Sequence, residues 1–287
     1  MGIIKKFGTD ANEADVRALY SIMTSIENNI GGGEGIEGLY GSIRGADMQR
    51  ILSCMAQVCG LDRESHLLDV GAGLGRPLLH ALLTQGISKA TGIEIDPIKC
   101  TKADAFLRQT LQRFSSKTST TLDTLPRIIC RPIQEVKSLD SLGITHVYSF
   151  WEGIPGDARA QLGTLVASSP NIRGIAVVQR SMRNESPEDL MANDYDFGPG
   201  LKLQASFPVS MSGSGRQFTA YIFSRCCESA TATPEKEAYI RRHYIDPVLI
   251  TSTPPLVLKR SMRLKLRKER YSPLSPKKFS RPSHNGV

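Results

Sequence analysis

Two segments near the start of the chain, residues 10–29 and 44–60, carry hydrophobic residues at helical spacing. The recurring apolar residues are Leu19, Ile22, Met23 and Ile26 in the first segment and Met48, Ile51, Leu52 and Met55 in the second. Apolar positions three and four residues apart predict amphipathic helices. Between the two segments lies GGGEGIEGLYGSI, residues 31–43, whose glycine content predicts a loop.

From residue 66 onward, short apolar runs alternate with segments of helical pattern. The predicted strands are residues 66–71, 89–95, 126–131, 146–151 and 173–180, and the predicted helices between them are residues 76–85, 97–114 and 157–168. Strands that alternate with helices are typical of a parallel α/β sheet with helices on its faces.

The last two apolar runs, LKLQASFPVS and RQFTAYIFSR, flank MSGSG and predict a β-hairpin. An α/β sheet that ends in an antiparallel hairpin resembles the class I methyltransferases, a Rossmann-like fold with a seven-stranded sheet. We therefore expect residues 1–62 to form a helical and lid region and residues 63–230 to form the sheet. Residues 231–258 are expected to form an extension, and residues 259–287 a tail.

The composition is that of a globular protein, with 40% hydrophobic and 22% charged residues among 287. No apolar run approaches the roughly 18 residues that span a bilayer, and the first ten residues are too short an apolar stretch for a secretory signal. The six cysteines show no CxxC pair and no metal-ligand spacing. We therefore expect reduced thiols, no metal site, no membrane and a cytosolic or nuclear location.

The net charge of +8 is concentrated at the end of the chain. Residues 259–281 hold ten basic residues and one acid, Glu269, while the rest of the chain is close to neutral. A block of one sign is usually solvated and disordered and often contacts a polyanion such as nucleic acid. The SPKK sequence at residues 275–278 also fits a kinase site, and the block fits a nuclear-import signal equally well.

The main chemical motif is the loop Asp69-Val-Gly71-Ala-Gly73-Leu-Gly75 after the first predicted strand of the sheet. Its glycines are one residue closer together than in the dinucleotide fingerprint GxGxxG, which makes a dehydrogenase the weaker interpretation. Asp69 would repel a pyrophosphate but would suit an ammonium group. Glu94, at the end of the next strand, is placed to accept hydrogen bonds from both hydroxyls of a ribose. The pattern predicts a binding site for S-adenosylmethionine. In the alternative, structural interpretation, Asp69 caps the loop and Glu94 is a solvated strand end.

Chemistry is expected where the fourth strand ends, at Ser149, Phe150 and Trp151, because ligands bind outside the carboxyl ends of such strands. Enzymes that methylate base amines often carry Asn/Asp-Pro-Pro-aromatic here, and this chain does not. Trp151 would form an aromatic wall for a lysine stem or, alternatively, a part of the core. Glu152 would hold the substrate or support the residues that do, and it is not expected to act as a general base. No role is assigned to Arg76, which opens the following helix beside Pro77.

Over residues 36–225 the chain resembles, in divergent form, the non-SET histone H3 lysine methyltransferases called the disruptor-of-telomeric-silencing (Dot) family. GLYGSIRG is similar to the family's Tyr-Gly-Glu loop, LLDVGAGLGR to its Asp-x-Gly-Ser-Gly-x-Gly loop and TGIEID to its Gly-x-Glu strand end. The chain departs from the family in three places. Ser42 replaces the glutamate of the first motif, Arg131-Pro132 stands for an Asp-Phe pair, and YSFWEG stands for an Asn-Asn-Phe segment.

The resemblance implies methyl transfer from S-adenosylmethionine to a lysine of histone H3 on nucleosomes in the nucleus, with the basic segment holding DNA. The cofactor residues that it implies are Tyr40, Gly41, Asp69, Gly71, Gly73, Glu94, Pro132 and Ser149. The catalytic residues are expected to be Tyr40, Ser149, Phe150 and Trp151. Two other functions stay open: an RNA or DNA methyltransferase, and a non-catalytic methyltransferase-like scaffold that binds nucleic acid.

Overall fold

The computed structural model describes residues 13–31, 42–118, 122, 124–182, 186–212 and 214–225. Two helices precede the sheet, α1 (Glu13–Ile30) and α2 (Gly45–Cys59). Helix α2 ends at Gly60, whose φ of 69° lets its N–H bond back to the carbonyl of Met55. The predicted helices 10–29 and 44–60 are confirmed to within a few residues over the part that is described.

The alternating region forms the strands and helices that its pattern predicts. The strands are β1 (His66–Val70), β2 (Lys89–Glu94), β3 (Arg127–Cys130), β4 (His146–Phe150), β5 (Gly174–Gln179), β6 (Leu201–Ser210) and β7 (Gln217–Arg225). The helices between them are α3 (Arg76–Thr84), α4 (Pro97–Thr118), α5 (Gly156–Ala167) and the single turn α6 (Pro187–Asp189), which runs into a π turn at Leu190–Asp194.

The seven strands form one sheet in the order β3-β2-β1-β4-β5-β7-β6. The five strands from β3 to β5 are parallel, whereas β7 is inserted antiparallel between β5 and β6. The chain order reverses between β1 and β4, so the carboxyl ends of these two strands open a crevice at the switch point. This is the class I methyltransferase fold. The predicted fold class, including the terminal hairpin, is confirmed.

Apolar side chains on both faces of the sheet hold the layers together. Helices α2 and α3 cover one face with residues such as Ile51, Leu52 and Leu78, and α5 covers the other with residues such as Leu162 and Val166. A third cluster joins α1 to α3 and α4. Helix α1 is therefore packed as part of the core, beside the helices that follow the glycine loop and β2.

Sequence periodicity does not reveal every feature of the fold. Helix α4 continues to Thr118, beyond the predicted end at residue 114, because its last turn is polar and carries no apolar spacing. Strand β4 ends at Phe150, and Trp151 begins a 3₁₀ turn through Gly153 instead of extending the strand. The π turn was not predicted either, since a single wide turn leaves no period in the sequence.

The described residues hold free thiols, but neither a metal-binding cluster nor a helix that could span a membrane. Cys54 and Cys59 are buried in the core as free thiols, while Cys130 is exposed at the end of β3. Among these residues no group of three or more His, Cys, Asp or Glu side chains is placed to hold a metal ion. No helix in the described ranges is long and apolar enough to cross a membrane.

Candidate functional site

A cavity of about 550 Å³ opens where β1, β2 and β4 end. Its volume lies within the range of about 300–1,000 Å³ that is usual for small-molecule sites. Its wall is built from the glycine loop, the residues after β2 and β3, the end of β4 and one side of α1. The predicted residues that line it are Asp69, Gly71, Gly73, Glu94, Pro132 and Phe150.

The glycine loop crosses from β1 to α3 in a conformation that side chains disfavour. Gly71, Gly73 and Gly75 have φ values of 80°, 56° and 85°, in the left-handed region. A Cβ atom on Gly71 would also lie 2.6 Å from Cδ1 of Ile154. The N–H groups of Gly71 and Ala72 both bond to the carbonyl of Ile93, at 2.9 and 3.2 Å. The loop is thus tied to β2, and its backbone forms one wall of the cavity.

Glu94, the last residue of β2, braces this loop with its carboxylate. Oε2 accepts a hydrogen bond from the N–H of Gly73 at 2.7 Å, and Oε1 accepts one from the N–H of Asp96 at 2.9 Å. A carboxylate has about four acceptor positions, so two remain after these bonds. Glu94 is buried yet lines the cavity, where those positions suit a pair of vicinal hydroxyls.

Asp69 stands beside Glu94 in the same cavity and is buried. Burial, and then the nearby charge of Glu94, raise the pKa of Asp69 well above its usual value. Two carboxyl groups this close favour a ligand that brings positive charge. Such a ligand would offset their repulsion and allow both to ionise.

An apolar surface follows Glu94 along the rim of the cavity. Ile95 is 69% exposed although it is a large hydrophobic residue, and Pro132 and Ile133 line the wall after β3. An exposed isoleucine beside a hydroxyl-binding carboxylate suits the face of a flat heterocycle. We call this part of the cavity, from Ile95 through Glu94 to Asp69, its donor side. It offers an apolar surface, then a carboxylate that can accept hydrogen bonds from hydroxyls, then an acid that can bind an amine.

Helix α1 supplies a wall that motif analysis did not predict. Its contribution consists of Tyr20, Thr24, Glu27 and Asn28. The hydroxyl of Tyr20 lies 3.1 Å from Nδ1 of His80, and Nε2 of His80 lies 2.8 Å from Oε1 of Gln49. Burial lowers the pKa of His80 to about 3, so a neutral imidazole links α1, α2 and α3 behind the cavity.

Another part of the cavity is formed by the end of β4 and by the turn between β6 and β7, and we call it the acceptor side. Phe150 packs edge-to-face on Phe218, with ring centroids 5.0 Å apart, and lines the cavity. Ser212 in the turn and Ser42 in the approach to α2 line it as well. The N–H of Ser212 bonds to the carbonyl of Ser42 at 2.7 Å. The segment just before α2 is therefore fixed to the hairpin turn.

Tyr148 is a second residue of β4 that faces the cavity. It is paired with Asp69 across the β1–β4 ladder and is buried, and burial raises the pKa of its hydroxyl well above the usual value, with the Asp69 charge adding to the effect. The sequence offered one signal for it: Tyr148 is two residues before Phe150, on the same face of the strand.

The structure corrects the predicted roles of Ser149 and Trp151. Ser149 is fully buried and its hydroxyl donates to the carbonyl of Val70 at 2.8 Å. Trp151 is also fully buried, with its ring centroid 4.6 Å from that of Tyr195. Side chains alternate along a strand, so with Phe150 at the cavity Ser149 points to the opposite face. Trp151 lies beyond the strand, in the 3₁₀ turn, where it packs into the core. The expected aromatic wall of Trp151 is not formed.

The remaining predicted residues lie away from this cavity or outside the described ranges. Glu152 pairs with Arg180 and does not line the cavity, so the structure gives it no substrate contact. Tyr40 and Gly41, as well as the basic tail of residues 259–287, lie outside the described residues. Their roles stay predictions.

Two charged residues of the cavity were missed or left without a role at the sequence level. Glu27 lies on α1 and Arg76 is the first residue of α3, and their side chains form an ion pair. A signal for the first existed: Tyr20, Thr24 and Glu27 recur at helical spacing on a polar face of α1. Which element this face meets depends on tertiary packing alone.

Comparisons with known proteins add a likeness of fold. No protein-family model matches the chain, and no curated protein matches it either. Among solved structures, a putative RNA methyltransferase from Pyrococcus horikoshii matches with 14% identity and a TM-score of 0.46, over 72% of this chain and 98% of that one. Magnesium protoporphyrin IX methyltransferase from Synechocystis PCC 6803, solved with S-adenosylmethionine, matches with 13% identity and a TM-score of 0.44, over 76% and 100%. Likeness at this level carries no information about substrate.

Proposed function

We propose that the protein is an S-adenosylmethionine-dependent methyltransferase. The observation that carries this proposal is the pair of buried acids, Asp69 and Glu94, that shares one cavity with the glycine loop at the switch point of the sheet. S-adenosylmethionine has a ribose with two hydroxyls, which suit Glu94, and an ammonium group, which suits Asp69, and its sulfonium adds a positive charge that suits a cavity with two acids. The dinucleotides of dehydrogenases would instead place an anionic pyrophosphate near two carboxylates.

Each residue of the site has a role in holding such a ligand. Glu94 binds the ribose hydroxyls while it fixes the loop through Gly73. Asp69 binds the ammonium, and Ile95 covers the adenine. The bound cofactor supplies a methyl group on a positively charged sulfur. The protein contributes alignment of the acceptor with that methyl and exclusion of water, which together account for much of the rate in reactions of this kind.

For the acceptor, we propose an RNA. The basic block of residues 259–281 suits a polyanion, and an RNA substrate would supply both the anchoring phosphates and the acceptor atom in one molecule. The loss of Trp151 from the site removes the wall that a lysine stem would use. Because the chain lacks an Asn/Asp-Pro-Pro-aromatic segment after β4, a ribose hydroxyl or a ring nitrogen fits better than an exocyclic amine.

A lysine of histone H3 on nucleosomes, with a nuclear location, is the second candidate. The Tyr40-Gly41 motif, the spacing from Asp69 to Glu94 and the basic block favour it. Phe150 keeps one aromatic ring at the acceptor side, where an aliphatic stem could pack. In this candidate the tail would hold nucleosomal DNA while the cavity receives the lysine.

The experiment that separates the two is a methyl-transfer assay with radiolabelled S-adenosylmethionine. Total RNA, reconstituted nucleosomes and free histone H3 are offered in parallel to the full-length protein. We expect label in RNA that is sensitive to ribonuclease. Label in H3 from nucleosomes alone would support the histone candidate, and no transfer to any substrate despite cofactor binding would favour a scaffold.

Cofactor binding is tested separately with the Glu94→Ala variant and calorimetry. We expect S-adenosylmethionine to bind at least about a hundredfold more weakly, since two hydrogen bonds to a charged group are lost, at about 1.5–3 kcal/mol each. Asp104→Asn, which removes an exposed acid of α4, serves as the control and should bind normally. Undiminished affinity in Glu94→Ala would contradict the assignment of the site.

A further inference from the structure

Arg76 is the one arginine at the amino end of α3, directly after the glycine loop, and it is only 7% exposed. It lines the cavity. Its Nη1 donates to a carboxylate oxygen of Glu27 on α1, and its guanidinium lies 5.2 Å from the centroid of the Tyr20 ring. These contacts hold the guanidinium against α1, and Arg76 and Asp69 line the same cavity.

Two of the donors on this guanidinium have no protein partner. Nε and Nη2 of Arg76 are buried and make no hydrogen bond with any residue that the structure describes. A buried donor without a partner costs about 1–3 kcal/mol, so an unused pair is unusual in a folded protein. Nε and Nη2 also form one edge of the guanidinium, and this edge matches the two oxygens of a carboxylate.

We infer that the Nε–Nη2 edge of Arg76 binds the α-carboxylate of the methionine part of the cofactor. Glu27 holds Nη1, so the Nε–Nη2 edge would turn toward the cavity to meet the carboxylate while this bond is kept. Asp69 then takes the ammonium and Arg76 the carboxylate of the same amino-acid group. The inference rests on the proposed function, and it adds a positioning residue that sets the methyl-bearing sulfur relative to the glycine loop.

The same chemistry explains why an arginine is tolerated at this buried place. Without a second anion, Arg76 balances only the charge of Glu27. The other charged residues that line the cavity are the acids Asp69 and Glu94 and the cations Lys99 and Arg131. A ligand with one carboxylate, one ammonium and one sulfonium adds a net positive charge while it satisfies both donors of Arg76. A ligand that lacks the carboxylate leaves those donors unsatisfied, and this difference can be measured.

The test compares binding of S-adenosylmethionine with binding of its decarboxylated form, which lacks only the carboxylate. With the full-length wild-type protein, calorimetry should show roughly ten- to a hundredfold tighter binding of the intact cofactor, as expected for charge-assisted hydrogen bonds. In Arg76→Lys, and in the double variant Arg76→Gln with Glu27→Gln, that ratio should fall to about threefold or less. Both variants should bind the decarboxylated form nearly as the wild type does, which also shows that they are folded.

Arg108→Lys, on the exposed surface of α4, is the matched control and should keep the full ratio. An unchanged ratio in both Arg76 variants would overturn the inference while leaving the proposed cofactor in place. A wild-type ratio near one would overturn it in the same way. If the wild-type protein bound neither ligand, the proposed function itself would be wrong, and the inference would fall with it.

Discussion

The donor and acceptor sides of the cavity are built in different ways. The donor side depends on backbone positions and buried acids: three glycines with positive φ, Glu94 bonded to the loop, and Asp69 beside it. The acceptor side depends on single side chains such as Phe150 and Ser212 that meet only through the tertiary fold. The donor side is therefore encoded by a short sequence motif, whereas the acceptor side is assembled from side chains that are far apart in the sequence.

This difference explains where function can be inferred. A loop that must approach a ligand with its backbone restricts the sequence to glycine at fixed spacing, and such a restriction is visible in a single chain. An acceptor surface imposes size and polarity at positions far apart in sequence. Substitutions at three residues test this division between the two sides. The first is Trp151, which belongs to neither side because it lies in the core.

Replacing Trp151 should affect the stability of the fold and not the specificity of the site. Trp151→Ala is expected to lower the free energy of unfolding by about 3–5 kcal/mol, because a fully buried ring is lost from a core that includes Tyr195 and Phe197. Chemical denaturation measures this change. Trp151→Phe keeps most of the packing and removes an indole N–H that has no partner among the described residues.

Trp151→Phe is thus the control, and it should cost clearly less than Trp151→Ala, because one aromatic ring still fills most of the buried volume. The KM for the acceptor should be unaltered in this variant. A KM that rises severalfold while stability is preserved would return Trp151 to the acceptor side and contradict the structure.

Replacing Asp69 should weaken cofactor binding and stabilise the ligand-free fold. Asp69→Asn is expected to weaken S-adenosylmethionine by roughly tenfold or more at pH 8, since the hydrogen bond to the ammonium loses its charge. The ligand-free variant should unfold at a higher temperature than the wild type at the same pH, because it no longer ionises a buried acid next to Glu94. Calorimetry and thermal unfolding measure the two effects.

The pH dependence follows from the direction of the shift. The folded pKa of Asp69 lies above the unfolded value of 3.8, so the folded state holds a proton that the unfolded chain has released. Stability of the ligand-free protein is therefore lost as pH rises through that window, while affinity for the cationic cofactor rises. Asp69→Asn should flatten both slopes. Equal slopes in variant and wild type would show that another group controls them.

Replacing Phe150 should act on the acceptor alone. Phe150→Leu is expected to raise the KM for the acceptor by roughly two- to tenfold, the value of one aromatic contact of about 0.5–1.5 kcal/mol. Affinity for S-adenosylmethionine should change by less than about twofold on the same reasoning, since the ribose and amine contacts lie on β1 and β2. A matching loss of cofactor affinity would place Phe150 on the donor side.

The sequence was sufficient to predict the fold and most of the donor side. Alternating strands and helices and the terminal hairpin follow from periodicity, and Asp69, Gly71, Gly73 and Glu94 do line one cavity. The acceptor side was predicted less well because three consecutive residues, Ser149 to Trp151, were assigned to it. Alternation along β4 turns Ser149 away from the cavity, and β4 ends at Phe150, so Trp151 enters the core from the 3₁₀ turn.

The wall formed by α1 could not be predicted from local pattern. Its apolar stripe indicates a helix but does not say which surface that helix covers. The pairing of Glu27 with Arg76 joins residues 49 positions apart, and nothing in either neighbourhood points to the other. Contacts of this kind are set by the global packing, which is why the polar residues of α1 that line the cavity were missed.

The place of α1 has a consequence for how the protein is made. This helix is synthesised well before α4, against which it packs and whose last turn follows the end of α1 by almost ninety residues. It must therefore wait, with an apolar stripe uncovered, until the glycine loop and α4 have emerged and folded. Completion of the cavity wall is thus a late event of synthesis, and a nascent chain halted before α4 would be unable to retain its ligand.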